Sequence, residues 1–326
     1  MDRRRTLAAA VIAVATLLAG AARAENGYPN HAVKLLIGYP PGGPVDIIGR
    51  IMADKLSAQW KQPVIVENVS GAGGNIAGDR VAKASPDGYT LMVATNALVA
   101  INPSLYAKMS FDPSKDLTPI TLATFSPNIL VVGPNVPVTS VKELVAYLKA
   151  HPGSTFASAG VGTTQHLAGE LFKSMAKVDI RHVPYRGAAP VITDLLAGRV
   201  TMFFGAISPL IPLVRAGKLR ALAVTSAQRF HTVPNLPTMI EAGYPGFVSV
   251  LSMGLMAPAG TPTAIINKIA ADSKTVLAMP DVRAKLGNIG MEVVGSTPAE
   301  FKADLDREIP QWAKVIQQAG LKGSSK

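Results

Sequence analysis

Residues 33–56 read VKLLIGYPPGGPVDIIGRIMADKL: an apolar β-rich run, a knot of proline and glycine, then apolar residues at helical spacing. The chain repeats this order at once. PVIVENV (63–69) reads as a strand, NIAGDRVAKAS (75–85) as a helix and YTLMVAT (89–95) as a third strand. Strands that alternate with helices predict right-handed crossovers and a mostly parallel sheet, so the fold class is α/β. The same order restarts downstream: SVKELVAYLKA (140–150) reads as helix, TFASA (155–159) as strand, TTQHLAGELFKSMA (163–176) as helix and IRHVPY (180–185) as strand. APVITDLLAG (189–198) and VTMFFGA (200–206) add a helix and a strand. An amphipathic helical region follows, from TAIINKIAADSKTVLAM (263–279) to TPAEFKADLDREIPQWAKVIQQAG (297–320).

The two units share one echo. ILVVGPNVPVTSVKELVAYL (129–148) and GLMAPAGTPTAIINKIAADS (254–273) each hold an apolar strand, a break with two prolines and a helix with a threonine near its start. The echo marks two similar lobes related by a pseudo-twofold, or it is chance use of a common idiom, because it is short and its proline spacing differs by one residue.

The first 24 residues place Arg3, Arg4 and Arg5 before an apolar stretch and end in Ala22-Arg23-Ala24, a small-x-small cleavage site. This is the pattern of a secretory signal peptide cleaved near Ala24, and its apolar stretch from Thr6 to Ala22 falls short of the ~20 residues of a membrane span. At roughly 150 residues per domain, the remaining chain from Glu25 to Lys326 suits two domains. No later stretch reaches spanning length without a charge or a Pro/Gly break, so the mature protein is expected to be soluble and not membrane-embedded.

The chain has no cysteine, which removes disulfides, thiolate metal sites, cysteine nucleophiles and an acylated-cysteine anchor together. A free periplasmic protein fits best. Three of the +11 net charges lie in the signal (Arg3, Arg4, Arg5 and Arg23 against Asp2), leaving +8 on the mature chain. Its basic residues are scattered and not interleaved with aromatics in a stripe, which disfavours nucleic acid and suits an anionic ligand.

Enzymatic patterns are missing. There is no Gly-x-Ser-x-Gly elbow, phosphate loop or His-Glu-x-x-His helix, and GAGGNIAG (71–78) has its glycines at the wrong offsets for dinucleotide binding. His31, His151, His166, His182 and His231 show no ligand spacing. No metal and no cofactor is expected.

What recurs is Gly, Ser, Thr and Asn where a strand turns into a helix. In an α/β sheet those turns lie at the carboxyl ends of the strands, where helix N-termini offer free backbone N–H groups to an anion. Four turns qualify: Gly42 and Gly43 before Pro44; Gly73, Gly74 and Asn75; Thr95 and Asn96; and Ser158, Gly160, Gly162, Thr163 and Thr164, with His166 one turn into the helix. Each alone could be ordinary capping. Because both units carry one, a cleft between them would be lined with donors from each side, the geometry of a hinged protein closing on a carboxylate.

The phrases VKLLIGYPPGGPVDIIGRIMADKL, PVIVENVSGAGGNIAGDRVAKASPDGYTLMVATN, INPSLY, FASAGVGTTQHLAGELFKSMA, HVPYRGAAPVITDLLAGRV, LRALAVTSAQR and GLMAPAGTP, in this order, resemble the Bug family, the periplasmic substrate-binding proteins of tripartite tricarboxylate transporters. The resemblance covers essentially the whole mature chain. It implies a type II periplasmic binding protein: two α/β lobes joined by a hinge and closing like a flytrap on a small organic acid. The implied lobes are 25–122 plus 226–326, and 123–225, with crossings near ITLAT (120–124) and LRALAVTS (219–226). It further implies carboxylate binding through backbone N–H groups, a cleft lined by Tyr39, Thr95, Asn96, Ser158, His166, Tyr185 and Gly187, and a monomer serving membrane transporter subunits or a sensor.

Three departures bear on the ligand. Pro44 stands where the family often has a small or polar residue, which removes one N–H donor. Gly205 and Ala206 replace a common Asp-Asn pair that could hold an amino group, which favours a purely carboxylic ligand. Past Phe247, VSVLSMG (248–254) stands where an aromatic is common. Asp46 either faces a second polar group of the ligand or partners the helix dipole. The competing class is a periplasmic enzyme using the same cleft, with His166 and Ser158 or Thr163 as its only candidates; a structural envelope protein is the third.

Overall fold

A computed structural model describes residues 27–324; the signal-peptide expectation for residues 1–24 lies outside the described residues. The opening stretch folds as read: β1 (Val33–Ile37) turns at Gly38–Gly43 into α1 (Pro44–Trp60), with Pro44 at the first helical position. Proline suits that place because its missing N–H has no helical partner there. β2 (Val64–Asn68), α2 (Asn75–Ala82) and β3 (Thr90–Thr95) complete the first unit, and β1 pairs in parallel with both β2 and β3.

The second unit runs α3 (Val141–Ala150), β5 (Thr155–Ser158), α4 (Thr164–Ala176), β6 (Arg181–Pro184), α5 (Ala188–Leu196), β7 (Met202–Ala206), α6 (Ile207–Arg215) and β8 (Arg220–Val224). Here β5 pairs in parallel with β6 and β7. Joining the units is β4 (Leu117–Val132), whose first part pairs antiparallel with β9 (Val250–Pro258) and, at Thr124 and Phe125, with β10 (Glu292–Val293). Its last part pairs antiparallel with β7 and β8. The strand orders are therefore β2-β1-β3-β9-β4 and β6-β5-β7-β4-β8. Each has three parallel strands and then an antiparallel one, beside β3 in the first case and β7 in the second.

The two echoing phrases occupy equivalent places in this scheme. Ile129–Val132 lies beside β7 and leads to α3, while β9 lies beside β3 and leads to α7 (Thr263–Ala278). The echo thus falls at topologically equivalent places, as two similar lobes would have it.

The switch between sheets falls at Pro127–Asn128, past the ITLAT segment where a crossing was expected. The chain returns through Thr225 and Ser249, and residues between them pack on the second sheet. Phe230 is buried with Phe203 and Val224, and Met239 and Phe247 with Phe172 and Phe204, whereas the sequence placed this segment in the first lobe. After α7 and α8 (Pro280–Asn288), α9 (Pro298–Gln318) crosses both units. Phe301 and Leu305 pack with Met92 and Ala94 of the first, Trp312 and Val315 with Leu167 and Phe172 of the second.

The first two glycine turns touch at backbone level: a Cβ on Gly38 would lie 2.6 Å from Gly74 Cα. Backbone cannot step aside as a side-chain tip can. Gly38→Ala is expected to cost about 1–3 kcal/mol in urea unfolding, while Gly287→Ala, with nothing within 4 Å of its added carbon, leaves stability unchanged or slightly raised.

Candidate functional site

The glycine turns all sit at the carboxyl ends of the parallel strands. Four helices begin there without a side-chain cap, α1 after Gly43, α2 after Gly74, α5 after Gly187 and α6 after Ala206, while in the turn Ala97–Ile101 the Leu98 N–H donates to the Thr95 hydroxyl at 3.3 Å. Elsewhere α3 and α9 are capped by Ser140 and Thr297, the latter in a full capping box, and α7 and α8 start without a side-chain cap. At α1, Ile47 N–H is the first to bond back into the helix, to Gly43 O at 2.9 Å. The N–H groups of Val45 and Asp46 thus have no partner within the helix, at the positive end of a 17-residue helix.

The expected side chains are mostly spent on the turns themselves. Asp46 is 3% exposed, and its carboxylate accepts from Gly42 N–H at 2.9 Å, Arg50 Nε at 2.8 Å and Asn68 Nδ2 at 2.9 Å. Arg50 chiefly holds the Asp46 carboxyl down to about 2. Asp46 therefore belongs to the scaffold under the turn and does not reach for a ligand. Asn96 turns to the hinge, donating to Val250 O and Glu308 and accepting from Ser252 N–H. Glu308 lines a cavity of about 630 Å3 with Phe125, Phe230 and Val250, which no glycine turn reaches. Tyr39 stays with Thr95, hydroxyl to hydroxyl at 3.0 Å, and reaches Gly73 O at 3.2 Å.

In the second unit Ser158 is fully buried. Its hydroxyl donates to Gly160 O, accepts from Gly160 N–H and lies 2.6 Å from His182 Nε2. Thr163 caps α4 by accepting from His166 N–H, and donates to Gly160 O at 2.7 Å. His166 is 2% exposed; its Nδ1 accepts from Gly162 N–H at 3.1 Å, so its proton sits on Nε2, 3.8 Å from Glu170. The ring stacks on His182 at 3.7 Å. His166 thus shapes the turn from within, and the N–H groups of Gly160 and Gly162 are consumed. Gly187 N–H goes to Ala159 O, and the Tyr185 hydroxyl to Asp194 at 2.6 Å. Gly205 lies inside β7, where an added Cβ would meet Leu210 and Phe203 at 2.4 Å, and does not line the cleft. The packing of those two side chains requires glycine there.

Sequence reasoning missed Asn68, Arg50 and His182, which hold the turns, and Arg186, an exposed cation between Tyr185 and Gly187 that is in no ion pair among the described residues. The spacing of His166 and His182 carried no sign of their stacking, since β6 brings them together only in three dimensions. The strand VIVEN (64–68) did offer a signal for Asn68, a polar residue at the end of a parallel strand. The units meet at Gly162, where an added Cβ would lie 2.5 Å from Leu105 of the first unit.

Two α/β sheets sharing one strand, with uncapped helix starts from both beside the junction, define a two-lobed solute receptor of the periplasmic-binding type. Residues 48–321 match the tripartite tricarboxylate transporter family receptor model. BugT of Bordetella pertussis is 34% identical over 324 residues, 99% of each chain. A Pseudomonas protein encoded in the tcbD-tcbE intergenic region is 37% identical over 98% of this chain and 96% of its own. Among solved structures, an R. palustris protein with adipate is 37% identical with a TM-score of 0.72, covering 90% of this chain and 98% of that one. MatC from Rhodopseudomonas palustris with bound malate is 32% identical with a TM-score of 0.70, covering 89% and 100%. A TctC solute-binding protein from Polaromonas without ligand is 27% identical with a TM-score of 0.82, covering 89% and 99%. The chain belongs to the tripartite tricarboxylate transporter receptor family, whose members are periplasmic solute receptors.

Burial pushes His166 down to about 3, helped by His182, and His182 down to about 4. Both rings are neutral in the fold, whereas the unfolded chain binds protons below about pH 6.5. Stability present above that pH is therefore lost as pH falls toward 4, by at most about 1.4 kcal/mol per pH unit for each histidine. Urea titrations from pH 7 to 4.5 should show this loss, and His166→Asn, which keeps an acceptor for Gly162 N–H, should lessen it by about half.

Proposed function

We propose that the protein is exported, loses its first 24 residues and binds a small organic carboxylate between its lobes as a monomer, handing it to transporter subunits in the membrane or to a sensor. One lobe is built on each sheet, hinged at Pro127–Asn128 and at Thr225–Ser249. The observation that carries this reading is the set of uncapped helix starts contributed by both sheets: α1 and α2 from the first, α5 and α6 from the second. Adipate and malate in the two relatives are the same chemistry. No helix among the described residues is long and apolar enough to cross a membrane.

The enzyme reading loses support from its own candidates. The Ser158 hydroxyl is fully buried and engaged within the turn, by Gly160 O and N–H and by His182 Nε2 at 2.6 Å, so it is not presented to a substrate. His166 is spent on Gly162. The β7–α6 turn offers only Gly205, Ala206, Ile207 and Ser208, with no acid to hold an amino group, so the ligand class is carboxylic acids without an amine.

A thermal-shift screen of mono- and dicarboxylates tests the function. A ligand at 100-fold excess over Kd should add about 2.7 kcal/mol of stability; no response across the panel would favour a purely structural envelope protein. Adipate should exceed 2-aminoadipate in affinity by about tenfold or more, a difference of ~1.4 kcal/mol. Pro44→Ala restores one N–H to the α1 terminus and should tighten the best acid several-fold, worth about 1 kcal/mol; an unchanged Kd would place the ligand away from α1.

A further inference from the structure

The β1–α1 turn holds a buried carboxylate beside the place where an anion is to bind. Asp46 Oδ2 takes the N–H of Gly42, inside the turn, at 2.9 Å. Like charges within about 4–6 Å oppose one another, so an anion on the neighbouring Gly43, Val45 and Asp46 N–H groups is repelled unless the carboxylate is compensated. Arg50, one turn along α1, supplies that compensation. Its Nε lies 2.8 Å from the same Oδ2, and its second arm donates to Asn68 Oδ1 at 3.1 Å. Asn68 in turn donates to Asp46 Oδ1 and to Tyr39 O, which closes the network around the turn. The Arg50 side chain is 54% exposed, so the guanidinium reaches in from solvent while the carboxylate stays buried.

We propose that Arg50 sets the affinity and charge selectivity of the α1 anion site: by neutralising Asp46 it lets this helix start accept a carboxylate in preference to the corresponding neutral amide. The proposal rests on the carboxylate reading above. Arg50 is a positioning residue that acts through Asp46 and touches no ligand. The low proton affinity of Asp46, due first to Arg50, is in keeping with this pairing.

The test is calorimetric titration of the tightest acid from the carboxylate screen, and of its neutral amide, into the full mature chain and its variants. Arg50→Ala should raise Kd for the acid about tenfold, a like-charge effect of the size that neighbouring charges have on a carboxylate, and leave the amide nearly unchanged. Arg50→Lys should recover most of the loss, and added salt should shrink it, because Arg50 is half exposed. In the double variant Asp46→Asn with Arg50→Ala, both charges are gone and affinity for the acid should return toward wild type. If Arg50→Ala weakens acid and amide alike, or the double variant binds worse than Arg50→Ala, the pair only shapes the turn and the proposal is overturned. An unchanged Kd in Arg50→Ala overturns it alone, whereas a wild-type protein that binds no carboxylate overturns the functional reading and this one with it.

Discussion

The two lobes hang on one strand. β4 runs antiparallel to its neighbours in both sheets, and where it passes from one to the other its backbone must change partners without leaving buried groups unpaired. The solution is a small polar knot of buried residues. Asn128 N–H donates to the Thr225 hydroxyl, Thr225 N–H to Asn128 O, and Ser249 N–H to Thr225 O. Three chain segments are thereby tied to each other at one point. The same sharing joins the two sets of parallel strands through a single strand.

Within the turns, labour is divided between side chains and backbone. Asp46, Asn68, Ser158, Thr163 and His166 all bond inward, and the glycine N–H groups of Gly42, Gly160, Gly162 and Gly187 are spent in the same way. These interactions set the shape of each turn. Backbone donors recognise a carboxylate and nothing else about the molecule that bears it. Discrimination among acids then falls to the cleft walls and to charges beneath the turns. The pairing of Asp46 with Arg50 is such a charge pair beneath a turn.

Much of this was legible in one dimension. The stretch at 33–56, with strand, glycine pair, proline and helix in sequence, is local chemistry, and it folds as its propensities direct. The long β4 was not legible, because Pro119 and Pro127 interrupt its pattern and a proline argues against an interior strand. The fold tolerates them at a register shift after Pro119 and at the sheet switch after Pro127. The placement of 226–249 was hidden for a similar reason: Met239 and Phe247 choose their lobe by contacts with Phe172 and Phe204, far away in sequence. At the site, the type of residue in each turn was readable, but the direction of Asn96, Tyr185 and His166 was not. Each is turned inward by a partner that spacing cannot reveal: Glu308, Asp194 and the Gly162 N–H respectively.

The last helix adds a constraint that a two-lobe description leaves out. Its first turns bury Phe301 and Leu305 against one lobe and its last turns bury Trp312, Val315 and Ile316 against the other, with Ile309 packed against both clusters between them. A rigid rod fixed to both lobes would resist closure. The helix, however, carries Pro310 at this midpoint. Proline there donates no bond to Asp306 O and its ring crowds the preceding turn, the usual origin of a bend in a helix. The weak point of α9 and the polar knot at Asn128 and Thr225 thus both lie between the lobes. Any change in the angle between the lobes would have to be absorbed at both together.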